Sequence, residues 1–65
     1  MKIFEFQNEY YNNEAIARVN KSEDLVSALP YIITLTYTGG SHCTNHFFKS
    51  KEERDNAWTD LIAEL

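Results

Sequence analysis

The chain has little of what builds a covalent or metal framework: one cysteine (Cys43), one proline (Pro30) and two glycines (Gly39 and Gly40) in 65 residues. A single thiol closes no internal disulfide, so the core must hold without a staple, and a reducing, cytoplasmic setting is the expectation. Basic residues are scarce as well. Six Lys and Arg against ten Asp and Glu give a net charge of −4, which opposes the counterion release on which non-specific DNA or RNA binding depends. No apolar run approaches the roughly 20 residues of a membrane helix. The opening Met1-Lys2-Ile3-Phe4-Glu5 sets an acid where a signal peptide carries its apolar segment. Neither membrane nor nucleic acid is therefore a favoured partner.

Apolar and aromatic side chains are plentiful, at 43% and 14% of residues, and this excludes a disordered chain. The length suits one small globular domain over residues 1–65. A domain of this size buries only about 60% of its unfolded surface, so most large apolar groups must serve the core rather than a deep pocket.

Alternation from Lys2 to Gln7 predicts a half-buried strand with Phe4 and Phe6 on one side and Ile3 and Glu5 on the other. Asn8 to Glu14 reads as a polar connection, opening a hairpin into a second strand over Ala15–Val19. Ser22 is placed to cap a short helix, with Glu23 and Asp24 at its positive end, Leu25, Val26 and Leu29 on one face, and Pro30 ending it. Tyr31 to Thr38, almost wholly β-branched or aromatic, is the clearest strand. Gly39-Gly40 follows as a turn, and the partner strand runs from about His42 to Lys49.

The register of that long hairpin is argued from shared environment. A two-residue loop sets His46 opposite Ile33 and Thr44 opposite Leu35, mixing polar with apolar. A three-residue loop, Gly39-Gly40-Ser41, is preferred because it sets Cys43 opposite Tyr37 and Phe47 opposite Ile33 on the buried side, although it also puts Asn45 across from Leu35. Thr34, Thr36 and Thr38 then align with His46, Thr44 and His42 on the other. Last, Ser50-Lys51-Glu52-Glu53 is a capping box, and Ala57, Trp58, Leu61, Ile62 and Leu65 recur at helical spacing. The fold class expected is α+β: a small antiparallel sheet of 3–4 strands with a short helix and a C-terminal amphipathic helix on one face, in the order β-β-α-β-β-α.

His42, Cys43 and His46 invite a metal or thiol reading, but on a strand the two histidines stand roughly 13 Å apart and the cysteine faces away from both. Zinc needs three or four ligands, and a Cys–His pair needs hydrogen-bond reach; neither is met. No catalytic residue, cofactor or metal is expected, and Cys43 reads as a small buried hydrophobe. Two surfaces remain as interaction candidates: the sheet face carrying Thr34, Thr36, His42, Thr44 and His46, and the acidic back of the last helix with Glu53, Asp60 and Glu64. The leading reading is a non-enzymatic protein-interaction module that self-associates, as a homodimer, through an exposed sheet face or edge. The second is an acidic inhibitor or adaptor, of a kind phages and mobile elements encode, docking its C-terminal helix on a basic surface of another protein.

Overall fold

Alternating burial shapes the first element. Phe4 and Phe6 are buried while Ile3 and Glu5 face solvent, giving β1 over Ile3–Phe6 as the pattern predicts. The structure, a computed structural model, describes residues 2–40 and 42–65. Gln7 and Asn8 both take positive φ, 53° and 67°, the backbone of a tight hairpin turn whose twist matches that of the strands. The chain therefore returns at once as β2, Glu9–Asn12, with Phe6 opposite Glu9 and Phe4 opposite Tyr11. The polar stretch expected as a connection is thus mostly a strand. Its tyrosines divide between faces, Tyr11 buried and Tyr10 exposed.

A single 3-10 turn over Asn13–Ala15, capped by the Asn12 side chain accepting from Glu14 N at 3.0 Å, leads into β3, Ile16–Glu23. This strand begins where the second strand was expected but pairs with β4, Tyr31–Tyr37, and not with the first hairpin. It also runs through Ser22 and Glu23, which pair with Ile32 and Tyr31, so the helix expected from Ser22 does not form. Between Asp24 and Pro30 the backbone bonds locally instead. Asp24 Oδ1 accepts from Val26 N at 3.3 Å, Ser27 Oγ accepts from Leu29 N at 3.2 Å, and Asp24 N donates to the Pro30 carbonyl at 2.7 Å. Helix nucleation is costly in so short a segment, and Asp and Ser side chains offer the backbone this alternative.

β5, Cys43–Phe48, completes a three-stranded antiparallel sheet in the order β3-β4-β5. Its register is the one the sequence argument set aside: Ile33 pairs with His46, Leu35 with Thr44 and Thr36 with Cys43. Ser41, the third residue of the preferred loop, lies outside the described residues. A shift of one residue exchanges the faces of a strand. Cys43 and Phe47, expected in the core, are exposed, while Thr44, His46 and Phe48 turn inward.

The α+β class holds: a two-stranded sheet, a three-stranded sheet, and a C-terminal helix α1 over Lys51–Glu64. Ser50 caps α1, its hydroxyl accepting from Glu53 N at 3.1 Å. Of the expected stripe, Ala57 and Leu61 are buried and Trp58 is partly buried, but Ile62 and Leu65 stay largely exposed. The covered stripe instead extends toward the helix start, where Arg54 is 5% exposed.

Phe4, Phe6 and Tyr11 of the hairpin and Ala57 and Leu61 of α1 share one core with Ile33, Leu35 and Phe48. Helix and hairpin thus lie side by side on the inner face of the sheet. The shortest dimension, 16 Å, admits two backbone layers about 10 Å apart but not three. No helix among the described residues is long and apolar enough to cross a membrane.

Candidate functional site

Two side-chain groups bear on function, one on each face of the three-stranded sheet. On the inner face, His46 of β5 meets the hairpin. Its ring stands edge-on to Phe6, with centroids 5.1 Å apart, and its Nε2 lies 2.8 Å from Tyr11 Oη. Tyr11 O–H also donates to Glu9 Oε2 at 2.8 Å, and that carboxylate oxygen is 3.5 Å from His46 Nε2. A phenol has one proton and a carboxylate only accepts, so His46 Nε2 carries the hydrogen and donates to the phenol oxygen.

Burial, reinforced by the hydrogen bond to Glu9, holds the Tyr11 phenol well above its usual range. Burial likewise pushes the His46 imidazole below its ordinary value, although the Glu9 carboxylate pulls the other way. Both groups are therefore neutral and bonded to each other near neutral pH. The same inner face accommodates Thr44, whose hydroxyl bonds the Tyr37 phenol, and Tyr37 stacks on Tyr11 with centroids 6.4 Å apart. These contacts tie the hairpin to the sheet.

At the other end of the inner face, Arg54 ties α1 to the edge strand β3. Its Nη1 donates to the Ser22 carbonyl at 3.1 Å and lies 3.6 Å from Glu23 Oε1, its Nε bonds Asp55 at 3.2 Å, and its guanidinium sits 5.2 Å from the Tyr31 ring centre. One strand position along, Lys21 Nζ stands 5.1 Å from the Trp58 ring centre.

Among the described residues, none packs over the outer face. β3 contributes Arg18, Asn20 and Ser22, and β4 contributes Ile32, Thr34 and Thr36. From β5 come Cys43, Asn45 and Phe47. Thr34 Oγ1 donates to Asn45 Oδ1 at 2.7 Å across the strands. Phe47, 50% exposed, is paired directly with Ile32. Theirs is the last outward-facing row before the Asp24–Pro30 connection, whose Leu25 and Val26 are 74% and 95% exposed. Isolated apolar side chains on a surface are ordinary, but several gathered at one end of a sheet mark a contact surface. Among the outer-face strand positions there is no acidic residue, in a chain with ten of them.

The residues predicted to share one sheet face are therefore divided. Thr34 and Thr36 lie on the outer face, whereas Thr44 and His46 are on the inner one, engaged with Tyr37 and Tyr11. His42 is exposed just before β5, its carbonyl accepting from Tyr37 N. Glu53 and Asp60 are exposed on α1, but Glu64 is half-buried and bonded to Lys2 Nζ at 2.6 Å. Phe47 and Cys43 were missed as surface residues because the register argument placed them inside. Among the described residues, no three His, Cys, Asp or Glu side chains stand close enough to share a metal ion. Compared with protein-family models, with curated proteins and with solved structures, the chain matches none.

Proposed function

We infer that the chain is a non-enzymatic protein-interaction module whose working surface is the outer face of the three-stranded sheet, together with the apolar connection beside it. The observation that supports this reading is the exposed Phe47, paired with Ile32 on an uncovered face at the end of the sheet where the connection bearing the exposed Leu25 and Val26 joins β3 to β4. Burying such groups stabilises an association by about 25 cal/mol per Å² of apolar surface removed from water. In a chain with so small a core, leaving large apolar groups outside is otherwise a loss. The inner-face polar cluster supports the reading indirectly, since Glu9, Tyr11 and His46 are spent on one another in holding the hairpin.

Site-directed photo-crosslinking in the native host tests the assignment. A photoreactive residue replacing Asn45 on the outer face is expected to give protein adducts, while the same group replacing Asp60 on the helix back gives none. Adducts from Asp60 alone would move the working surface to the acidic helix. Adducts from neither position would remove the interaction reading.

A further inference from the structure

We propose that the outer face of the sheet binds a second copy of this chain, sheet against sheet, with the strands of the two copies aligned. The proposal rests on the reading of that face as the working surface and names its occupant.

Charge favours this face for contact between copies. Each copy carries −4, and acids occupy the other surfaces: Glu5 and Glu9 on the hairpin, and Glu53 and Asp60 on the helix. Two copies meeting there would set like charges together, whereas the outer-face strand positions hold Arg18 as their single charged residue. A basic foreign partner would be drawn to the acidic surfaces instead.

The face is also self-complementary. A two-fold interface sets the same patch on both sides, so its polar groups must be able to pair with their own kind. Hydroxyls and carboxamides do this because each both donates and accepts, and Thr34, Thr36, Asn20, Asn45 and Ser22 supply the polar part of the face.

The position of the apolar groups selects the axis. Ile32 and Phe47 lie at one end of the face and Arg18 at the other. A two-fold axis perpendicular to the strands would set Phe47 against the Arg18 end. An axis parallel to the strands brings the apolar ends together, lays β4 on β4 near the axis, and crosses β3 over β5. The two arginines are then offset by two strand spacings, about 10 Å, as well as by the separation of roughly 10 Å between sheets. At that distance salt screens them substantially. Strands of eight, seven and six residues, three abreast, give a face of roughly 330 Å². With its neighbouring connection this falls short of the roughly 800 Å² per partner of a standard interface, so the dimer is weak and concentration-dependent.

Sedimentation velocity on the full chain from about 10 μM to 1 mM, the range in which an interface this small assembles, tests the proposal. The weight-average mass should rise toward twice the monomer value. Phe47→Asp should abolish the rise, as should Thr34→Lys, which sets two cations near the axis; circular dichroism checks that both variants stay folded. Cys43 is a second readout. Exposed on the outer face of the monomer, its thiol should react with an aromatic disulfide reagent several-fold more slowly at the high concentration. A monomer at every concentration overturns the proposal, and so does a dimer that both variants leave intact with Cys43 still reactive, which would indicate pairing elsewhere. If the chain is monomeric but Asn45 crosslinks to a different protein, the interaction reading stands and the second copy is excluded.

Discussion

Arg54 is a guanidinium in a core built by apolar groups. Its five donors are fixed in a plane, which lets one side chain bond the end of β3, pair with Glu23 and Asp55, and lie over Tyr31. The paired acids are both partly solvated, so removing the arginine does not strand a buried charge. What is lost is the bond to the Ser22 carbonyl, the contact with the Tyr31 ring and the packing of the aliphatic stem. Arg54→Ala is expected to destabilise the fold by about 2 kcal/mol, read as a lower urea midpoint. Arg54→Lys should recover only part of this, since an ammonium reproduces the charge but not the fork. In the sequence Arg54 is one member of a charged run. The sign of its role was its spacing, three residues before Ala57 and seven before Leu61, on the stripe that proves buried.

At the scale of elements, the C-terminal helix and the clearest strand formed where local chemistry placed them, because a capping serine and a β-branched run act over a few neighbouring residues. The segment from Ser22 to Leu29 had helical signals too, but pairing of Ser22 and Glu23 with β4 competes for the same backbone and leaves too few residues for a stable helix. Leu25 and Val26 then project into solvent from a loop closed by its own backbone and side-chain bonds. It follows that replacing both by serine should leave unfolding free energy within about 0.5 kcal/mol of the parent chain, as for surface positions in general. A larger loss in chemical denaturation would show that these side chains serve the fold.

For the whole molecule, docking of the hairpin on the sheet couples stability to pH through His46. Burial lowers its folded-state pKa below the ordinary value of about 6.5. In acid the unfolded chain takes up this proton before the folded one does, so stability is full above pH 6.5 and falls as the pH drops from there through the folded pKa, below which the loss is complete. Tyr11 acts at the opposite limit: its raised pKa means that the unfolded chain ionises first, so stability declines as the pH climbs above about 10. Urea midpoints at pH 7.5 and pH 5 should therefore differ more in the parent chain than in His46→Gln, and equal pH dependence would show that His46 is not the coupled group. The sequence marked His46 as a member of an exposed polar sheet face and not as a buried, coupled group, because its partners Tyr11 and Glu9 are 35 and 37 residues away. The sequence by itself determined the class of fold, the helix and its cap, and the positions of β4 and β5 along the chain. Only the tertiary structure decided which face of β5 turns inward. Matching apolar with apolar across β4 and β5 favoured the other register, but Tyr11 and Tyr37 supply hydrogen bonds to His46 and Thr44 that remove the penalty for burying them. Phe47 and Cys43 are left outside in consequence, and the surface available to a partner follows from that one-residue choice.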